Sequence, residues 1–163
     1  MKVMVDTNVV LDLLLSRTPH VVNATQIFSL IERNVIVGCL GATTLTTVYY
    51  LATKVVGGQK ARREIRKLLR LFEVAPVNRA VLEAALVAEG FRDFEDAVLH
   101  EAARQADADA LVTRNESDFR AAALAVYEPR ELLSIVQARH THRIDSIDDV
   151  SQAQSTAAEE DAQ

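Results

Sequence analysis

The chain opens with a short apolar run that stops abruptly on three polar residues. Val3, Met4 and Val5 are followed by Asp6-Thr7-Asn8, with no polar residue among the three apolar ones. An uninterrupted run of this kind is typical of a strand buried on both faces of a parallel sheet. Open parallel sheets bind ligands at the carboxyl ends of their strands, so this position is suited to chemistry. Asp6 equally suits a helix cap or a turn, because residues 9–15 have a helical apolar pattern.

The rest of the chain alternates between strand and helix patterns. Strands are predicted at residues 35–37, 73–77, 110–112 and 124–126. Helices are predicted at residues 19–33, 61–71, 79–88, 93–106 and 129–136. Asn78 and Asp93 are the expected N-caps of the third and fourth of these helices. Residues 42–54 fit both states because many are β-branched, and their length together with Gly57-Gly58 favours a helix. This alternation predicts an α/β fold with three layers, α/β/α, around a central, mostly parallel sheet of four to five strands.

Length and composition indicate one domain with an appended tail. The chain has 163 residues, 49% of them hydrophobic, and we expect a domain at residues 1–138 and an acidic, disordered tail at 139–163. Cys39 is the single cysteine, which excludes an intrachain disulfide and favours a cytoplasmic protein. No stretch approaches the roughly 18 apolar residues of a membrane span, and Asp6 interrupts any signal-peptide pattern.

The charge is distributed unevenly along the chain. The formal net charge of -5 argues against a broad nucleic-acid-binding surface. The predicted helix at 61–71 and its start are nevertheless strongly basic, with Glu64 as the single acid. The basic residues are Lys60, Arg62, Arg63, Arg66, Lys67 and Arg70. This stretch is a candidate RNA track, and a solvated helix face or a surface for an acidic partner are the alternatives.

Acids and amides cluster at three points where strands end or helices begin. These clusters are Asp6-Thr7-Asn8, Asp93-Phe94-Glu95-Asp96 and Thr113-Arg114-Asn115 through Asp118. Three separate helix caps would explain them, although Asp96 extends into the apolar part of its helix. If the clusters meet at one sheet edge, their carboxylates raise one another's pKa, and a hard divalent cation relieves that repulsion. The four histidines have no zinc-ligand spacing, and neither a phosphate-binding glycine loop nor a nucleophile elbow is present.

At these clusters the sequence resembles the PIN domain, the nuclease fold of the VapC toxins. The resemblance is carried in order by residues 3–8, 93–97 and 111–119, and it extends from about residue 1 to 136. It implies a Mg²⁺- or Mn²⁺-dependent ribonuclease, the toxin of a type II pair with a cognate antitoxin as partner. It also implies roles for individual residues. Expected metal ligands are Asp6, Asp96 and Asp118; Asn115 is a further catalytic position; supporting residues are Thr7, Asn8, Asp93, Glu95 and Thr113.

One position departs from the family pattern. Relatives commonly carry a glutamate where Thr47 stands in Thr44-Leu45-Thr46-Thr47-Val48, so Asp93 or Glu95 compensates or metal binding is weakened. Two other readings therefore stay open, an RNA-processing nuclease without an antitoxin and a non-catalytic PIN domain that binds RNA or protein. A haloacid dehalogenase phosphatase is disfavoured, because Thr7-Asn8 follows Asp6. The apolar stretch 48–51 is consistent with a homodimer or with burial in the core.

Overall fold

The first strand, β1 (Lys2–Val5), is the central strand of a five-stranded parallel sheet. The structure is a computed structural model that describes residues 1–139. The sheet order is β3-β2-β1-β4-β5. The other strands are β2 (Val37–Gly41), β3 (Glu73–Ala75), β4 (Ala110–Val112) and β5 (Ala125–Tyr127). Val3, Met4 and Val5 are fully buried, which confirms the reading of the opening run as a two-sided strand.

Helices cover both faces of this sheet. They are α1 (Thr7–Leu14), α2 (Val21–Glu32), α3 (Ala42–Val56), α4 (Gly58–Leu71), α5 (Arg79–Val87), α6 (Phe94–Gln105) and α7 (residues 129–139). Val3 and Val5 belong to a core shared with α1 to α4 and α7, whereas Met4 belongs to a core shared with α5 and α6. Side chains of one strand alternate between the faces, so the two cores lie on opposite sides of β1. The predicted α/β/α layering is confirmed.

The second strand lies later in the chain than the sequence predicted. The predicted strand 35–37 was wrong, because residues 35 and 36 form a bend and β2 begins at Val37. A Cβ atom at Gly38 would approach Phe72 to 2.6 Å and Ile31 to 2.7 Å, so glycine lets this strand pass beneath two bulky side chains. Glycine weakens an intrinsic strand signal, and only the tertiary packing reveals why it is needed here.

Several local predictions are confirmed. Residues 42–54 are helical as part of α3. The side chain of Asn78 accepts a hydrogen bond from the backbone N–H of Val81, and that of Asp93 accepts one from Glu95, as expected of N-caps. The predicted tail falls almost wholly outside residues 1–139, so neither it nor the domain limit at 138 is tested. None of the helices within residues 1–139 has both the length and the apolar character that a membrane crossing requires.

The strand register determines where the polar clusters meet. Val5 pairs with Val112 in the parallel ladder between β1 and β4, so the next residues, Asp6 and Thr113, are neighbours at the carboxyl edge. The chain order of the strands also reverses here, with β2 and β3 on one side of β1 and β4 and β5 on the other. Such a switch point is the usual ligand-binding crevice of an open parallel sheet.

Candidate active site

Asp6 lies at the centre of a hydrogen-bonded network. Its side chain is buried, and its Oδ2 atom accepts hydrogen bonds from the Thr113 hydroxyl and the Asn8 amide, both at 2.6 Å. Burial raises the pKa of Asp6, while the hydrogen bond from Thr113 acts in the opposite direction. The network holds this carboxylate in one orientation at the end of β1.

Asn8 and Thr113 connect helix α1 to the segment that follows β4. The Asn8 amide nitrogen also donates to Thr113 Oγ1 at 3.1 Å, and Asn8 Oδ1 accepts from the backbone N–H of Arg114 at 3.3 Å. Thr113 Oγ1 in turn accepts from the backbone N–H of Asn115 at 3.0 Å. The two bonds made by Asn8 join residues more than a hundred positions apart in the chain. They place two of the three predicted clusters side by side.

The third cluster completes a cavity of about 260 Å³ above the sheet edge, which we call the acid cavity. Three carboxylate residues line it, namely Asp6, Glu95 and Asp96. The other polar side chains around it are Thr7, Asn8, Arg17, Thr43, Thr44, Thr47 and Asn115. The structure therefore brings the Asp6 cluster, the start of α6 and Asn115 to one place. The alternative of three unrelated helix caps does not describe this arrangement.

Asp96 is a strongly perturbed group of the acid cavity. Burial first, and then the negative charges of Asp6, Asp93, Asp118 and Glu95, raise the pKa of Asp96 from 3.8 to about 7. Burial and the neighbouring carboxylates therefore both disfavour the charged form of Asp96. Perturbation by burial combined with specific charges is typical of functional sites.

Not every predicted site residue lines the cavity. The carboxylate of Asp93 caps α6 by accepting the backbone N–H of Glu95 at 3.0 Å. Asp118 is half-buried on the short 3-10 helix Glu116–Phe119 that follows β4, and it acts on Asp96 through its charge. Thr113 is fully buried and does not line the cavity, and it contacts the site through Asp6, Asn8 and the backbone N–H of Asn115. Their assignments as ligand or supporting groups stay predictions.

Thr47, which stands where relatives commonly carry a glutamate, faces the acid cavity. It lines the cavity, and its hydroxyl donates to Glu95 Oε1 at 3.3 Å. Of the two acids considered as replacements, Glu95 lines the cavity, whereas the carboxylate of Asp93 is engaged in capping α6. The geometry therefore favours Glu95 over Asp93 as the acid that replaces the missing glutamate.

Sequence reasoning did not identify two further features of the site. Arg17 is the one basic residue among the cavity-lining side chains of residues 1–139, and no local pattern distinguishes it. Asp12 is 1% exposed within the apolar helix α1, and its Oδ2 atom lies 3.0 Å from Nε of Arg114. The detectable signal for this pair was a lone acid inside an apolar helical run.

The basic residues of α4 lie apart from the acid cavity. Lys60, Arg62, Arg63, Arg66 and Lys67 are all exposed, and none of them lines the cavity. Lys60 and Lys67 instead border a larger groove formed by α1 to α4. Their role in binding RNA stays a prediction.

The donors of the acid cavity fit a hard divalent cation. Every polar lining group except Arg17 offers an oxygen atom, and burial together with the neighbouring carboxylates raises the pKa of Asp96. Within residues 1–139, no group of three His, Cys, Asp or Glu side chains is arranged to hold a metal ion. This combination suits a cation such as Mg²⁺, which uses one or two carboxylates and completes its shell with water and substrate oxygens.

Fold and site define an α/β protein with an acidic cavity at the switch point of a parallel sheet. The sequence model of the PIN domain matches residues 2–117, and the chain belongs to this family. It is 28% identical over 122 residues to Ribonuclease VapC1 of Aquifex aeolicus, a match that covers 72% of this chain and 83% of the relative. The resemblance to the PIN domain is thereby confirmed.

Solved structures share the fold. DNA-bound VapBC from Salmonella typhimurium superposes with a TM-score of 0.62 at 16% identity, covering 79% of this chain and 98% of that one. A toxin–antitoxin complex from Klebsiella pneumoniae gives a TM-score of 0.60 at 22% identity, covering 78% of this chain and 97% of that one. At these identities the likeness establishes the architecture.

Proposed function

We propose that this protein is a metal-dependent ribonuclease and that the acid cavity is its active site. The observation that carries the proposal is the convergence of Asp6, Glu95 and Asp96 at the sheet's switch point, with Asp96 driven to a pKa of about 7. The similarity to a protein named as a ribonuclease supports the choice of RNA as substrate. The PIN family membership supports hydrolysis of a phosphodiester bond.

A divalent cation, Mg²⁺ or Mn²⁺, would be held by Asp6 and Asp96, with Asp118 close enough to contribute negative charge. When bound, it polarises the scissile phosphate and lowers the pKa of a nearby water. The residues of the chain then perform the remaining tasks. Thr113 and Asn8 fix the Asp6 carboxylate through two hydrogen bonds of 2.6 Å, so that it needs no reorganisation during the reaction.

The neutral and basic lining groups supply contacts for the substrate. Asn115 is exposed and lines the cavity, and in this proposal its side-chain amide donates to a phosphate oxygen. Arg17 brings a positive charge to the same opening, where it is suited to a backbone phosphate of the RNA. Thr47 holds the carboxylate of Glu95 toward the cavity by its hydroxyl.

Cleavage of a fluorescent single-stranded RNA by the purified protein tests this function. We expect cleavage with Mg²⁺ or Mn²⁺, none with EDTA, and none in Asp6→Asn or Asp96→Asn. Asp107→Asn is the matched control, because Asp107 is exposed and lies outside the acid cavity. Full activity in Asp96→Asn would overturn the site, and metal-independent binding without cleavage would indicate a non-catalytic PIN domain.

We further propose that the protein is a toxin whose antitoxin occupies the large groove between α1 and α4. This groove, about 790 Å³, has an apolar floor and a charged rim, and we call it the apolar groove. Its floor includes Leu13, Leu14, Phe28, Leu68 and Leu71. Its rim carries Lys60, Lys67 and Arg70 beside Glu32 and Glu64. An amphipathic helix with acidic flanks complements such a surface, and fold relatives were solved as toxin–antitoxin complexes.

Co-expression with the product of the adjacent reading frame tests this partner. A tight complex that blocks RNA cleavage supports the proposal, and Leu14→Asp in the apolar groove should weaken the complex. Leu86→Asp on α5 is the control, because Leu86 is 71% exposed and lies away from the groove. An active nuclease with no such neighbour would favour an RNA-processing enzyme without antitoxin. A complex insensitive to Leu14→Asp would show that the partner does not occupy the apolar groove.

The same proposal places the protein in the cytoplasm, where such a nuclease meets RNA. The homodimer predicted from stretch 48–51 also stays a proposal. Val48 is fully buried, whereas Tyr50 is 59% exposed with the Lys54 ammonium 4.0 Å from its ring centre. Sedimentation of the purified chain decides its oligomeric state.

A further inference from the structure

Helix α1 holds the segment after β4, residues 113–118, at two points. The first is the hydrogen bond from the backbone N–H of Arg114 to Asn8 Oδ1. The second lies one helical turn further along α1, where Asp12 Oδ2 is 3.0 Å from Nε of Arg114. One residue of the 113–118 segment is thus held through both its main chain and its side chain.

The ion pair between Asp12 and Arg114 is costly to bury. The Asp12 side chain is 1% exposed and that of Arg114 is 28% exposed. Asp12 Oδ1 and Arg114 Nε lack hydrogen-bond partners among the described residues, so the contact is ionic and is not fully satisfied. Apolar residues of similar volume usually stabilise a core at least as well as such a pair. General stability alone is therefore a weak reason for a carboxylate in the apolar stretch of α1.

Residues next to this pair belong to the proposed active site. Thr113 donates to Asp6 at 2.6 Å, and Asn115 lines the acid cavity. Asp118 follows on the 3-10 helix and contributes to the raised pKa of Asp96. Movement of Arg114 away from α1 would therefore displace groups on both sides of it.

We propose that Asp12 and Arg114 are positioning residues, whose ion pair fixes the 113–118 segment on α1 and thereby sets the arrangement of Thr113, Asn115 and Asp118 around Asp6. Neither residue lines the acid cavity, so neither is a catalytic residue. This inference rests on the proposed function for its effect on metal and RNA. Its structural part, the fixing of the segment, does not.

Amide hydrogen exchange of the metal-free protein tests the structural part. The backbone N–H groups of Asn115 and Asp118 are both hydrogen-bonded at 3.0 Å, so they report on the order of the segment. We expect their exchange to be about tenfold faster in Asp12→Asn. The double variant Asp12→Asn/Arg114→Gln leaves no unpaired buried charge. It should therefore fold even where a single variant does not, and it should show the same faster exchange.

Calorimetric titration of Mn²⁺ into the same variants tests the consequence for the site. Loss of a group that orients ligands typically costs about 10–100-fold in metal affinity or activity. We expect the Mn²⁺ affinity and the kcat for RNA cleavage to fall in this range, with the KM for RNA little changed. Glu101→Gln is the matched control, because Glu101 is also largely buried, pairs with Arg104 at 3.1 Å and lies outside the cavity. Glu101→Gln should lower the melting temperature without faster exchange at Asn115 and Asp118 and without weaker Mn²⁺ binding.

Unchanged exchange at Asn115 and Asp118 in the double variant would overturn the proposal. Faster exchange accompanied by wild-type Mn²⁺ affinity and wild-type kcat would also overturn the proposal. If the wild-type protein itself neither binds Mn²⁺ nor cleaves RNA, the proposed function fails. The exchange data then still decide whether the ion pair fixes the segment.

Discussion

Replacing Asp96 by asparagine should stabilise the metal-free protein at alkaline pH. Asp96 ionises with a pKa of about 7 in the folded state, against 3.8 as the ordinary value, because it is buried among other carboxylates. A carboxyl group whose folded pKa is raised opposes folding once the unfolded chain is ionised, above pH 3.8. The opposition grows up to about pH 7 and is constant above it. Asparagine keeps the shape of the side chain and removes the charge.

The size of this effect follows from the two pKa values. The interval between 3.8 and about 7 corresponds to at most about 4 kcal/mol of unfolding free energy. Solvent reaches part of the Asp96 side chain, so screening reduces the effect, and we expect about 2 kcal/mol at pH 8. For a protein of this size, that gain raises Tm by roughly 4–8 °C.

Thermal melts in EDTA between pH 4.5 and 8 measure the effect. The melting curves of Asp96→Asn and wild type should differ most at pH 8 and converge as the pH falls, because Asp96 is then protonated in the wild type. Added Mn²⁺ should stabilise the wild type and leave the variant nearly unaffected. Asp107→Asn should match the wild type throughout, since Asp107 is exposed. Equal melting at pH 8, or a difference that persists at pH 4.5, would refute the electrostatic account of the acid cavity.

Three further perturbations follow from the same structure. Thr47→Glu should tighten Mn²⁺ binding and lower the Tm of the metal-free protein, because it adds a carboxylate beside Glu95. Calorimetric titration and thermal melts measure the two effects, and Thr46→Glu, at an exposed position, should show neither of them. Burial lowers the pKa of His100, so the free energy of unfolding should fall as the pH drops below about 6.5. In an Asp96→Asn background, His100→Gln should therefore show a flatter profile of Tm against pH. Truncation after Arg139 should leave Tm nearly unchanged, because little apolar surface follows it, and a fall of more than several degrees would contradict this.

The parts of the fold predicted from sequence are those that local physics determines. The unbroken apolar run of β1 requires burial on both faces, and the Asn78 and Asp93 caps satisfy the first amides of their helices by short-range bonds. The β2 boundaries could not be predicted in this way. They depend on the contact between Gly38 and side chains of other elements, which no local pattern reveals.

The same distinction applies to the candidate site. Asp6 and Asp96 were candidates because each acid interrupts an apolar pattern at the end of a strand or inside a helix. Their expected roles as metal ligands came from the resemblance to the PIN domain. The bond between Thr47 and Glu95 joins residues 48 positions apart, and Arg17 reaches the acid cavity from an irregular loop. Such contacts arise from the packing of helices on the sheet. They carry no periodic signal in the sequence.

In our proposal, Asp6 and Asp96 together hold a catalytic divalent cation. Anomalous scattering from crystals of the full chain soaked in Mn²⁺ tests it most directly. We predict one strong peak at the acid cavity, in contact with carboxylate oxygens of both residues, and no peak there in crystals of Asp96→Asn soaked in the same way. A peak elsewhere with an empty acid cavity, or an unchanged peak in the variant, would contradict the account.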